Sequence, residues 1–243
     1  MGMMRVVSLV PSLTELVWTL RPGALVGRTK FCDAPAEMAG VVPAVGGTKD
    51  PEVGKILALQ PDLVVANREE NRREDVEALR ARGVRVLVTE IDSVEEAFGA
   101  IRELGRELEA MEGAEAVVRE AQEALAEESG GPAVRVFVPI WRRPLLGLGS
   151  GTYGSSLIEA CGAVNVLAEW PRYPEVSLDE VARLRPDVVL LPDEPYRFTE
   201  EHAMEFAHIG PVRVVDGRLL WWYGPRMASS IRALKALFRE GRE

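Results

Sequence analysis

The stretch Ile56-Leu57-Ala58-Leu59-Gln60-Pro61-Asp62-Leu63-Val64-Val65 has a counterpart further on: Val181-Ala182-Arg183-Leu184-Arg185-Pro186-Asp187-Val188-Val189-Leu190. Each reads as the end of a helix, a Pro-Asp turn and a buried strand. The flanks repeat as well. Pro51-Glu52-Val53 anticipates Pro174-Glu175-Val176, and Gly83-Val84-Arg85-Val86 is echoed by Gly210-Pro211-Val212-Arg213-Val214. One such unit is a common way to enter a strand. Two in the same order restrict the chain to a duplicated α/β lobe.

Between the copies, Ser93 to Ser129 reads as helix. Ser93 and Glu96 have capping-box spacing. Ala97, Phe98, Ile101, Leu104, Leu108 and Met111 then recur at the three- and four-residue intervals of one buried face. Gly113 predicts a break. A second run continues through Val117, Val118, Ala121 and Leu125, and Ser129-Gly130-Gly131-Pro132 stops it. Unbroken, such a helix would reach roughly 50 Å, more than one lobe needs. The expected organisation is therefore an N-terminal α/β lobe over residues 1–110, a bridging helix over 111–130 and a C-terminal α/β lobe over 131–243, with no strand shared.

Within each lobe, strands alternate with helices, which implies parallel βαβ units. Val6–Val10, Leu25–Gly27, Leu63–Ala66 and Val84–Val88 are the expected strands of the first lobe. Val134–Val138, Val164–Val166, Val188–Leu191 and Val212–Val215 are those of the second. Ser12 and Glu15 repeat the capping-box spacing and predict the start of the first helix.

A formal charge of −9 argues against a nucleic-acid partner, which requires a basic footprint. No apolar segment is long enough for membrane insertion. Arg5-Val6-Val7-Ser8-Leu9-Val10 comes directly after Met1–Met4 and reads as a core strand rather than a secretory leader. The expected location is cytoplasmic if this N-terminus is native, and periplasmic or otherwise extracytoplasmic if a leader was removed. Cys32 and Cys161 are expected as free thiols, Cys161 buried and Cys32 in a loop.

Ligands of open α/β sheets sit beyond the carboxyl ends of the strands. The segments expected there combine aromatics with arginines: Asn67–Asp75, Pro139–Arg143, Pro192–Phe198 and Asp216 through Trp221-Trp222-Tyr223-Gly224-Pro225-Arg226. Rings supply area and guanidinium supplies bidentate recognition of carboxylate or phosphate, a combination suited to a flat, partly anionic ligand. Catalytic and metal-ligating motifs are not found. His202 and His208 stand six apart, on different helix faces. Gly46-Gly47-Thr48-Lys49 lacks the spacing of a phosphate loop. Glu69, Glu70, Asp193 and Glu194 are expected to pair with Arg68, Arg72 and Arg197.

Arg5 to Glu15, Phe31-Cys32-Asp33-Ala34-Pro35 and both Leu-x-Pro-Asp segments resemble the class III solute-binding proteins of cobalamin and iron-siderophore ABC importers. The resemblance implies two Rossmann-like lobes with parallel sheets joined by one long α-helix, only modest closure, and a metal-chelate ligand in the cleft between the lobes. It implies no cofactor and no chemistry on the ligand. Tyr173 and Arg226 fall where such proteins have an aromatic and an arginine facing the ligand. Thr48-Lys49 and Asn67 stand where tryptophans are expected, so the first lobe presents a more polar face. Asp179 falls at the second-lobe carboxylate that docks an ABC permease. Its first-lobe equivalent is Gly54, with Glu52 nearby to substitute.

The expected ligand-binding set is thus Lys49, Asn67, Trp141, Tyr173, Trp222 and Arg226, and the expected docking pair is Asp179 and Glu52. The expected function is binding of a corrinoid or a ferric siderophore. The alternative is a cytoplasmic enzyme on the same scaffold acting on a tetrapyrrole-like compound.

Overall fold

The computed structural model describes residues 4–240 apart from 129 and 131. It divides into two compact units. The first comprises the chain up to Ile91 with Glu96–Arg119 and Tyr223–Pro225. The second comprises Asp92–Glu95, Glu120–Trp222 and the chain from Arg226 onward.

The first unit contains β1 (Val6–Ser8), α1 (Pro11–Leu20), β2 (Leu25–Arg28), α2 (Ala36–Val41), α3 (Val53–Ala58), β3 (Leu63–Asn67), α4 (Arg73–Arg80) and β4 (Val86–Thr89). Most of α5 (Val94–Glu107) and the first part of α6 (Met111–Ala126) belong to it too. Its sheet is parallel in the order β2-β1-β3-β4. Val7, Leu9, Ile56, Val64, Ala66 and Leu79 form the core on one side of that sheet.

The second unit contains β5 (Arg135–Phe137), β6 (Pro139–Trp141), β7 (Leu146–Gly147), α7 (Tyr153–Ala160), β8 (Val164–Asn165), α8 (Leu178–Leu184), β9 (Val188–Pro192), α9 (Glu200–Phe206), β10 (Val212–Val215), α10 (Arg218–Trp221) and α11 (Met227–Glu240). Its main sheet is parallel in the order β10-β9-β5-β8, which is the first unit's order in corresponding strands. Phe137, Leu167, Val181, Val189, Leu191, Phe198 and Phe206 pack its core. No sheet contains strands of both units among the described residues.

The repeat is one device built twice. Gln60 and Arg185, each just before the Pro-Asp pair, take left-handed φ values of 47° and 51°. That conformation costs a non-glycine residue about 1–2 kcal/mol. Hydrogen bonds made by the adjoining aspartate offset the cost. Asp62 Oδ2 accepts from the Arg5 backbone N–H at 2.8 Å, and Asp187 Oδ2 accepts from that of Arg135 at 2.8 Å. The same two arginines turn their guanidinium groups onto helix-end carbonyls. Arg5 Nε donates to Leu59 O at 2.9 Å, and Arg135 Nη2 donates to Leu184 O at 2.7 Å. Those carbonyls have no partner within their helices, and a cation there also suits the helix dipole.

Three expectations are corrected. The segment after Ser93 is two helices, and it breaks at Leu108–Ala110, not at Gly113. Glu109 turns with φ 52°, Ala110 N–H returns to Gly105 O at 2.8 Å, and Arg21 Nη1 donates to Leu108 O at 2.7 Å. Gly105 permits the tight turn, because a Cβ there would lie 2.5 Å from that of Ala114. Gly113 stays helical. The chain passes between the units inside α6 at Arg119/Glu120, and also at Ile91/Asp92, Glu95/Glu96, Trp222/Tyr223 and Pro225/Arg226. The expected stop at Ser129 and Gly131 lies outside the described residues, and α6 itself ends at Ala126.

Secondly, Ser12 and Glu15 do not cap α1. The helix starts at Pro11 after Val10, with no side-chain cap, since the fixed φ of proline suits the first helical position. Thirdly, Pro139–Trp141 is a strand of a two-stranded antiparallel ribbon with β7, not a loop. No described helix is long and apolar enough to cross a membrane. Cys32 and Cys161 are both free and buried.

Candidate functional site

In the first sheet the chain leaves β1 toward β2 on one side and β3 toward β4 on the other. In the second it leaves β5 toward β8 and β9 toward β10. The strand order therefore reverses between β1 and β3, and again between β5 and β9. A crevice at the carboxyl ends of those pairs is where an open parallel sheet receives ligands.

In the first unit the segment after β3 is shaped by two asparagines. The Asn67 amide oxygen accepts from the Glu69 and Glu70 backbone N–H groups at 2.9 and 3.2 Å, and its Nδ2 donates to Thr89 Oγ1 at 3.2 Å. Asn71 Oδ1 accepts the Asn67 N–H, while its Nδ2 donates to Leu9 O and Thr48 O. Asn67 is buried, and its amide builds the loop. Lys49 is exposed and donates to Glu69 O at 2.5 Å, so Lys49 and Asn67 meet on one residue. Beyond β2 stands Phe31, 56% exposed, with Lys30 Nζ 5.1 Å from its ring centre. Tyr223 is buried here; burial pushes its phenol up, against a hydrogen bond with Ser12.

In the second unit Trp141 ends β6 and is 43% exposed. Its ring meets Tyr196 edge-on at 5.5 Å, and Tyr196 packs on Phe198 at 4.7 Å. Beside it Arg142 Nε donates to Glu205 at 2.8 Å. Tyr173 is half-buried, and the Arg172 guanidinium lies 5.4 Å from its ring centre. Arg172 is itself fixed by Asp92 at 2.7 Å and by Gly151 O. Trp222 is only 6% exposed. Arg218 and Arg226 lie 4.9 and 5.2 Å from its ring centre, and its indole N–H donates to Glu194 Oε1 at 3.0 Å.

Of the expected ligand set, the structure brings Lys49 together with Asn67, and Trp222 together with Arg226. Trp141 and Tyr173 each stand in their own aromatic or cation-backed cluster. The expected ion pairs change partners: Arg68 pairs with Glu90, Arg72 with Asp75, and Glu194 faces Arg218 rather than Arg197. His202 caps α9, accepting the Thr199 N–H at Nδ1. Among the described residues no group of three or more His, Cys, Asp or Glu is arranged to hold a metal ion.

Sequence reasoning left Phe31 and Glu194 out of the ligand set, naming Phe31 only within a segment of family resemblance and Glu194 only as an ion-pair partner. Phe31 carried a signal, being a large aromatic just beyond a strand. Glu194 carried less, because its partners Trp221 and Trp222 come 27 and 28 residues further along the chain.

The expected docking carboxylates occupy related places. Asp179 is exposed in the first turn of α8, behind the Ser177/Glu180 capping box. Glu52 is the N-cap of α3 and pairs with Lys55 at 2.7 Å. Gly54, in the first turn of α3, has open space where a side chain would stand.

The chain is 28% identical over 206 residues to the vitamin B12-binding protein of Vibrio parahaemolyticus, which covers 82% of this chain and 72% of the relative. It is 29% identical over 194 residues to the vitamin B12-binding protein of Salmonella paratyphi A, covering 77% and 71%. Among solved structures it is similar to the apo periplasmic heme-binding protein of Roseiflexus sp. RS-1, with TM-score 0.83, 21% identity and full coverage of both chains. It is also similar to the periplasmic vitamin B12-binding protein of Vibrio cholerae, with TM-score 0.82, 21% identity and 98% of each chain covered. These structural likenesses establish the fold. The family model for periplasmic binding proteins matches residues 6–194, from β1 to the segment after β9, and the chain belongs to the periplasmic binding protein family.

Proposed function

We propose that the protein is a receptor for a metal chelate, a corrinoid, heme or a ferric siderophore, which it binds without transforming and delivers to an ABC permease. Kinship with proteins named for binding vitamin B12, spanning four-fifths of the chain, carries the reading. The strand-end clusters support it. Trp141 offers an exposed ring and Arg226 a guanidinium in the second unit, while Phe31 and Lys49 offer a ring and an ammonium in the first. Rings stack on a macrocycle without directional bonds. Arginine grips its peripheral carboxylate or phosphate. In this reading Tyr173 is a further stacking surface. Asn67 and Trp222 act mainly by holding the segments that carry Lys49 and Arg226. Asp179 and Glu52 are the permease-facing carboxylates.

Calorimetric titration with cyanocobalamin, cobinamide, hemin and several ferric siderophores tests this. One of them is expected to bind at about 1 μM or tighter, which is about −8.2 kcal/mol. Arg226→Ala is expected to weaken an anionic ligand about tenfold or more, in line with ~1.5–3 kcal/mol for a charged hydrogen bond. Affinities all weaker than about 100 μM count against the receptor.

A further inference from the structure

We propose that Arg172 is a positioning residue: it holds the Tyr173 ring in the orientation that meets the ligand. The inference rests on the receptor reading and adds the residue that presets one of its stacking surfaces.

Among the described residues, four other than glycine have positive φ: Gln60, Glu109, Arg172 and Arg185. Three of them stand where a helix ends, after α3, α5 and α8, the usual place for a left-handed residue. Arg172, with φ 58°, lies between β8 and α8 and ends no helix. A side chain meets a steric cost in that conformation which glycine avoids. Such a conformation persists where the surroundings fix it, and it points to a use.

The surroundings fix it on both sides of the peptide. The Arg172 N–H donates to Ser150 O at 2.7 Å, and the Arg172 carbonyl accepts from the Gly149 N–H at 2.7 Å. Ser150 N–H donates to Trp170 O at 2.8 Å, and Gly147 N–H to Pro174 O at 2.9 Å. Gly149 permits this approach, since a Cβ there would lie 2.1 Å from Trp170 O. These are main-chain bonds, which glycine at position 172 would serve as well. What the arginine adds is its guanidinium. Nη1 donates to Asp92 Oδ1 at 2.7 Å and to Gly151 O, and the group lies 5.4 Å from the centre of the Tyr173 ring. Asp92 belongs to the same unit, and two residues on the Val94 N–H is anchored on Ser156 Oγ at 3.1 Å. A guanidinium pinned by a carboxylate and a carbonyl cannot follow the ring, so the ring settles against it. Pro174 restricts the Tyr173 backbone to extended conformations, which leaves the side-chain torsions as the main freedom. The guanidinium limits those torsions. Ordering the ring before a ligand arrives spares that cost on binding.

The test uses the full chain, its Arg172→Gly and Tyr173→Ala variants and the double variant. Arg172→Gly keeps the main-chain bonds and loses the contacts of a part-exposed side chain, so its melting temperature should fall by less than about 5 °C. Its affinity for the tighter-bound of hemin and cyanocobalamin should fall about three- to tenfold, the cost of ordering one ring on binding. Tyr173→Ala should cost at least as much. The double variant should bind within about twofold of Tyr173→Ala alone, because Arg172 acts through the ring. Without ligand, protein labelled with 3-fluorotyrosine carries four fluorine probes, and the Tyr173 resonance is the one missing from Tyr173→Ala. It should move and sharpen in Arg172→Gly while the other three stay. Unchanged affinity in Arg172→Gly, losses that simply add in the double variant, or a larger fall in melting temperature overturns the inference and leaves the receptor standing. If neither chelate binds, the receptor reading suffers, and the fluorine spectrum decides the role of Arg172 by itself: a moved Tyr173 resonance upholds it and an unmoved one overturns it.

Discussion

Replacing Lys235 by methionine is expected to lower the melting temperature by about 6–12 °C. Lys235 lies on α11 and is 2% exposed. Its ammonium donates to Ala124 O at 3.0 Å, to Leu125 O at 2.7 Å and to Glu127 O. These carbonyls lie at the end of α6 and just beyond it, where a helix has no N–H donors of its own for them. Methionine keeps the length and the apolar stem and removes all three donors. A buried carbonyl left unpaired, as that of Ala124 would be, costs about 1–3 kcal/mol, the part-buried carbonyls of Leu125 and Glu127 cost less, and removal of a desolvated charge returns part of the sum. A net loss of about 3 kcal/mol corresponds to the stated shift at about 2–4 °C per kcal/mol for a chain of this size. Differential scanning calorimetry measures it. A shift under 2 °C would mean that water replaces the ammonium without cost.

The second large effect is a dependence of stability on pH set by Glu194. An unfolded glutamate titrates near 4.5, and here the folded value is about 7. Between these values the folded protein binds more protons than the unfolded one, so stability falls as pH rises through that window and then levels off. The separation amounts to about 3 kcal/mol at 1.36 kcal/mol per unit, reduced to about 2–3 by the partial exposure of the group. Glu194→Gln should therefore melt higher than the wild type at pH 8 by several degrees, with the gap nearly closed at pH 5. A variant that melts lower at pH 8 would show that the carboxylate is held by its arginine and indole partners more strongly than burial disfavours it.

Much of the fold was legible because its determinants are local. The paired helix–Pro-Asp–strand segments carry their own turn chemistry, and the strands are short apolar runs. The structure adds the reason for the pairing: Arg5 and Arg135 clasp the ends of α3 and α8, while Asp62 and Asp187 accept the backbone N–H groups of those arginines in return. What misled was also local. Gly113 looked like a helix breaker, yet a glycine inside a helix costs only about 1 kcal/mol against alanine, and a side chain there would crowd Leu20. The real break depends on Arg21, 87 residues from the carbonyl it caps.

The candidate site was legible by class more than by residue. The strand-end rule found the segments that hold Trp141, Asn67 and Trp222. Sequence could not distinguish an exposed tryptophan from one buried beneath two arginines, nor an asparagine that faces a ligand from one that folds its own loop. Those distinctions depend on partners distant in the chain, such as Thr89 for Asn67 and Glu194 for Trp222.

The most direct measurement is the position of the metal itself. Crystals grown with a saturating chelate from the calorimetric panel carry an anomalous signal from cobalt or iron. We predict a single strong peak beyond the carboxyl ends of β5 and β9, with the chelate in contact with Arg226 and its ring against Trp141. A peak on another surface of the second unit, or crystals of a bound complex in which Arg226 makes no contact with the chelate, would contradict the account.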